Sequence, residues 1–208
     1  MANTTNLLIL KRDSVINRRT KYHCCKPFHI LWKSLFFFYI ACAPLLSSAQ
    51  TNVNVLKAVY LEKFSRFVTW PESCMMNDIN KPFIISIIGK TELAENLIFV
   101  YSQQQINNKR VIIKEIKDFK EIEGCHILFI AESEKKNLQK ILSITSALPI
   151  LTVGETKGFS EKGILINFFE ENKKLRFEIN ETAVLKSPLK MSYYLLNTAR
   201  IIDPIAEE

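Results

Sequence analysis

Aspartate is scarce throughout this chain, and histidine nearly vanishes once its first 49 residues are set aside. One histidine remains, His126, and three scattered aspartates, Asp78, Asp118 and Asp203. Catalytic triads and zinc sites need histidine partnered at defined spacing, and acidic metal sites need clustered carboxylates. Neither an H-E-x-x-H nor a Cys-x-x-Cys pattern is present, and no G-x-S-x-G elbow. Cys125 and His126 are adjacent, but consecutive residues of a strand point to opposite faces, so they are not expected to form a thiol–imidazole pair. Glycine is scarce where a phosphate loop would need it. Gly89-Lys90-Thr91 has the close of such a loop, yet the position five residues earlier is Ile84, inside an apolar run. A plain turn and helix cap is the expectation there.

Positive charge is also missing from where it would matter for nucleic acid. The formal net charge of the 208 residues is +7. Residues 1–49 hold Lys11, Arg12, Arg18, Arg19, Lys21, Lys26 and Lys33 against Asp13 alone, a net of +6, which leaves +1 for the other 159 residues. A near-neutral body excludes the basic footprint of nucleic-acid binding. The N-terminal segment instead has the layout of a cleavable signal peptide: a basic region, the uncharged apolar run Ser34–Ser48, and small residues at Ser47 and Ala49. The run is shorter than the roughly 20 residues that span a bilayer as a helix. Cleavage after Ala49 is expected, with an uncleaved anchor or lipid attachment at Cys42 as the alternatives. Of five cysteines, Cys74 and Cys125 would remain in the exported body. Outside the cytoplasm these two could form a disulfide, or stand as free thiols; spacing does not decide between them.

From residue 50 to 208 no repeat, linker or low-complexity stretch interrupts the chain, and a single domain is expected. "VYLEKFSRFVTWPES" (Val59–Ser73) interleaves aromatics with Lys63 and Arg66. Its basic residues are too few for a membrane-surface helix. The spacing of Leu56, Tyr60, Phe64 and Phe67 predicts instead a helix buried against the body, capped by Asn52 and ended by Pro71. Pro82–Gly89, Arg110–Ile116, Cys125–Ala131 and Pro149–Gly154 read as strands, and Thr91–Tyr101 and Glu134–Ser146 as helices. "GILINFFE" and "KLRFEIN" read as a hairpin turning at Glu171-Asn172, followed by a last helix through Leu195, Leu196 and Ala199. The expected fold is α/β: a layered, mostly parallel sheet with helices on its faces and a C-terminal antiparallel hairpin.

Within "LRFEIN", Arg176, Glu178 and Asn180 share one strand face and are candidate contacts for a partner or ligand. The competing reading is a solvated outer face. On the first of these, charge reversal at Glu178 should weaken binding with little loss of stability.

Several stretches together resemble the YfiR-like periplasmic family. They are Lys57-Ala58-x-Tyr60-x-x-x-Phe64 with Val68-x-Trp70-Pro71, Phe83-x-Ile85-x-Ile87-x-Gly89, Gly124 to Ile130, and Leu151 to Gly154 with Gly158-Phe159. Gly163-Ile164-x-Ile166-Asn167, Arg176 to Asn180 and Leu189-Lys190-Met191-Ser192 complete the set. The resemblance implies a periplasmic, non-enzymatic regulatory module without cofactors. It would bind the periplasmic part of an inner-membrane signalling protein, a diguanylate cyclase or a histidine kinase, with cyclic di-GMP and biofilm restraint as the output of the best-known relative. A periplasmic small-ligand-binding protein is the alternative, and exposed sheet edges are compatible with a homodimer. Lys190 and Ser192 lie in a family motif and are further candidates near a pocket. Relatives often carry a cysteine where this chain has Ser86, able to pair with the one matching Cys125, and Gly-Gly where it has Lys162-Gly163. The familiar disulfide is therefore not expected here.

Overall fold

The structure, a computed structural model, describes residues 53–202. The proposed signal peptide, its cleavage point after Ala49 and the Asn52 cap lie outside the described residues. The elements in chain order are α1 (Val53–Phe67), β1 (Val68–Thr69), β2 (Phe83–Ile88), α2 (Leu93–Tyr101), β3 (Gln105–Ile106), β4 (Lys109–Ile116) and β5 (Ile127–Ile130). They continue with α3 (Leu138–Thr145), β6 (Leu151–Gly154), β7 (Ile166–Glu171), β8 (Lys174–Asn180), α4 (Glu181–Lys186), β9 (Lys190–Met191), α5 (Tyr193–Thr198) and β10 (Arg200–Ile202).

The expected α/β layering is present. Eight strands form one sheet in the order β10-β8-β7-β6-β5-β2-β4-β3, and β1 pairs with β9 in a separate two-stranded ribbon. Strands β4, β2, β5, β6 and β7 run parallel. The antiparallel β7–β8 hairpin extends that run, and β10 lies parallel to β8. The hairpin turns at Asn172 and Lys173, which both take positive φ (52° and 59°), one residue later than predicted. That is the two-residue geometry whose twist matches flanking strands. Asn107 and Asn108 (φ 50° and 60°) make the same turn between β3 and β4.

Alternation along the buried strands separates two cores. One face carries Phe83, Ile85 and Ile87 of β2, Ile127 and Phe129 of β5, Val153 of β6, Phe168 of β7 and Phe177 of β8, and α1 and α2 pack on it. Tyr60 and Phe64 of α1 meet Phe168 and Phe177 at ring separations of 4.9 to 5.8 Å. The aromatic helix is thus a core helix, although its inner stripe is Ala58, Leu61, Phe64 and Ser65, and Phe67 is 39% exposed. It ends at Phe67, before Pro71, because Val68 and Thr69 are drawn into pairing with Met191 and Lys190.

The opposite face carries Ile88, Ile116, Leu128 and Ile130 under Leu138 and Ile141 of α3. That apolar cover reaches only half of the sheet. Beyond β6 the same face turns polar.

Candidate functional site

The polar half is a single row across four strands. Gly154 of β6 registers with Asn167 of β7, Asn167 with Glu178 of β8, and Glu178 with Arg200 of β10. Register partners project to the same face, so the topology alone brings these groups together. Asn167 is fully buried and donates from Nδ2 to Glu178 Oε1 at 3.0 Å and to the Thr156 carbonyl at 3.1 Å. Glu178, 3% exposed, accepts on Oε2 from Arg200 Nε at 3.1 Å and from Nη2. A buried carboxylate persists only when paired and hydrogen-bonded, and both conditions are met here. Arg200 itself is half exposed, with its guanidinium 3.7 Å above the centre of the Phe169 ring. The row therefore presents one cation to solvent, held by an acid behind it.

Gly154 makes the row possible. A Cβ there would meet Phe159 Cδ2 at 2.9 Å and Asn167 Oδ1 at 3.0 Å. Replacing Gly154 with alanine is expected to push the Asn167 amide or Phe159 aside and lower the melting temperature by about 5 °C, a cost on the order of 1–3 kcal/mol. A differential scanning experiment that returned the wild-type temperature would show that the row has slack.

Next along β8, Asn180 is also buried. Its Nδ2 donates to the Ser160 carbonyl at 2.7 Å, and its Oδ1 accepts from Ala183 N at 2.8 Å, capping α4. Around this seam Asn167 Oδ1, Thr156 Oγ1 and Ser160 Oγ are buried without a hydrogen-bond partner.

Of the residues singled out in the sequence, Arg176, Glu178 and Asn180 do share a face, but only Arg176 reaches solvent, 4.0 Å from Glu171. Glu178 and Asn180 are buried, so charge reversal at Glu178 cannot leave stability untouched. Lys190 and Ser192 stand elsewhere, on and beside the β1–β9 ribbon. Lys190 is exposed opposite Thr69, and Ser192 caps α5 while its N–H donates to the Phe67 carbonyl at 2.9 Å. Gly154 and Asn167 lie in stretches that carry the family resemblance, but sequence reasoning did not assign them, Thr156 or Arg200 to a site; Asn167, a lone amide in the apolar run "GILIN", was the clearest signal.

Cys74 and Cys125 are free thiols in the structure and line a cavity of about 340 Å³ together with His126. Burial pushes the Cys125 thiol up to about 11, and its Sγ donates to the Ile122 carbonyl at 3.2 Å. The Ser86 hydroxyl is its neighbour. Burial also raises the half-buried Cys74.

His126 stacks on Phe83 at 4.6 Å, and its Nδ1 accepts from Ile84 N at 3.0 Å. Burial is the first cause that lowers its pKa below the ordinary 6.5, and nearby Lys109 acts in the same direction. Above 6.5 the imidazole is neutral in both folded and unfolded chains and its contribution to stability is complete. As the pH falls through 6.5 toward the lower folded value, the unfolded chain takes up the proton first and stability is lost. The urea midpoint should therefore drop between about pH 7.5 and pH 5, and His126→Asn, which retains an acceptor, should flatten that slope.

Among the described residues no three His, Cys, Asp or Glu side chains group to hold a metal. Residues 54–200 match the YfiR/HmsC-like family. No curated protein matches the chain.

Proposed function

The chain belongs to the YfiR/HmsC-like family, and we propose from that premise that it is an exported, non-enzymatic regulatory module. It binds the periplasmic part of an inner-membrane signalling protein, a diguanylate cyclase or a sensor kinase, and modulates its output. The reading takes residues 1–49 as the signal that delivers the domain to the periplasm.

The observation that carries it is the outlet of the buried row. Arg200 lies on β10, the outermost strand at its end of the sheet among the described residues. Directly before it, α5 exposes Tyr193 (73%) and Tyr194 (75%), and Ile201 follows on the strand itself, 40% exposed. An arginine and two tyrosines beside an open strand edge have the composition of an interface hot spot rather than of a catalytic pocket. Glu178, committed to Arg200 and Asn167, is not available as a general base.

The test is affinity capture. Tagged protein recovered from the envelope is mixed with mildly cross-linked native envelopes, and captured proteins are read by mass spectrometry. One integral signalling protein should be enriched, and its enrichment should fall about tenfold with Tyr193→Ser/Tyr194→Ser, whose side chains bury little of the core. A blank with folded, exported protein overturns the reading.

A further inference from the structure

Where the polar seam passes Asn180 it opens into a groove of about 720 Å³. Thr152 and Leu165 form its floor, Leu142 of α3 one wall, and Glu161, Lys162 and Lys186 its charged rim. We propose that this groove binds a small zwitterion of the amino-acid class, free or as a short peptide. The proposal deepens the regulatory reading by giving the module an input.

The charges argue for that class. One carboxylate oxygen of Glu161, Oε2, is shielded from solvent and has no hydrogen-bond partner. A shielded carboxylate oxygen is costly until it receives a donor, and because Glu161 lines the groove, a turn of its side chain would bring the carboxylate to an ammonium group there, the strongest donor available. Lys162 and Lys186 are exposed, and neither is in an ion pair among the described residues. They supply the complementary sites for a carboxylate. A simple anion would be opposed by Glu161, and a simple cation by the two lysines; a ligand carrying both charges meets all three. The apolar floor takes a side chain, and the volume falls within the roughly 300–1,000 Å³ typical of small-molecule sites. It is roomier than a single amino acid requires, which favours a short peptide.

Asn180 connects this groove to the row. It lines the groove, holds the Ser160 carbonyl and the start of α4, and sits two residues along β8 from Glu178. A ligand that moves Asn180 would pull on the strand that positions Arg200.

The experiment is a thermal-shift titration of the protein recovered from the envelope. Its probes are the standard L-amino acids and their alanyl dipeptides, each up to about 10 mM, where even a millimolar Kd registers. At least one probe should raise the melting temperature saturably. Its N-acetylated and C-terminally amidated forms should each bind at least about tenfold more weakly. Glu161→Gln and Lys186→Gln should reproduce those losses; the ligand-free melting temperature should stay at the wild-type value for Lys186→Gln and stay there or rise for Glu161→Gln, which relieves the unpartnered carboxylate. A stronger response to the free amino acid than to its dipeptide would assign the site to free amino acids, and the reverse order to peptides. No shift from any probe, or equal shifts from the blocked forms, overturns the proposal. Envelope capture is read separately, so a captured partner with no ligand response would remove the input and leave the regulatory module standing.

Discussion

Lys109→Met should cost the domain about 3–5 kcal/mol, the largest loss expected from any single conservative change described here. Lys109 opens β4 and is fully buried. Its ammonium donates to the carbonyls of Met75 (3.1 Å), Lys81 (3.0 Å) and Asp78. Those carbonyls belong to a string of tight turns, in which Met75 N bonds Glu72 O, Asp78 N bonds Met75 O and Lys81 N bonds Asp78 O. The turns leave three acceptors converging on one point, and an ammonium has three donors. Methionine keeps the stem and the packing but removes a donor from all three carbonyls, leaving those of Met75 and Asp78 with their turn hydrogen bonds and that of Lys81 with an apolar wall. Arginine offers donors in a planar fork that does not match three converging acceptors, so Lys109→Arg should not rescue. With a slope of about 1–2 kcal/mol per molar, the urea midpoint should fall by roughly 2–3 M. A change under about 0.3 M would mean that water replaces the ammonium without loss, and the clasp would have to be abandoned as a stabilising device.

That clasp was not legible in the sequence, and the reason is general. Apolar runs announce strands because burial on both faces requires them, and β2, β5 and β6 were found that way. The β7–β8 hairpin followed from two alternating runs around polar residues. A lysine at the start of a strand carries no mark that it turns inward, because its three acceptors lie 28 to 34 residues away in the chain. Arg200 was hidden differently. The stretch through Leu195, Leu196 and Ala199 reads as one helix, but α5 stops at Thr198, and Arg200, Ile201 and Ile202 pair with Glu178, Ile179 and Asn180. A strand that short exists only through its partner. The face shared by Arg176, Glu178 and Asn180 was legible from period two alone. Their burial was not, since it depends on a loop, Thr156 to Ser160, folding over the sheet. Asn107-Asn108 was a readable signal for the β3–β4 turn, two residues suited to positive φ.

Breaking the Glu178–Arg200 pair from its two ends should give different results, and the difference separates stability from recognition. Glu178→Lys places an ammonium against Arg200 and the Asn167 donor in a site that is 3% exposed, and should cost several kcal/mol, enough to compromise folding. Glu178→Gln removes the charge but keeps an acceptor for Asn167, while Arg200 can turn to water; about 1–2 kcal/mol is expected. Arg200→Gln leaves the carboxylate buried with only Asn167 as its side-chain donor. It should cost about 1–3 kcal/mol, toward the lower end because solvent already screens the exposed half of the arginine. In the double variant Glu178→Gln/Arg200→Gln no unpaired charge remains, and a coupling of about 1 kcal/mol or more should appear in urea titrations. The same double variant decides what the pair is for. If Arg200 contacts the membrane partner, the double variant folds close to wild type and yet loses capture, because the outward cation is gone. If it folds and still captures the partner undiminished, Arg200 serves only to neutralise Glu178, and recognition must rest on Tyr193, Tyr194 and the open edge of β10.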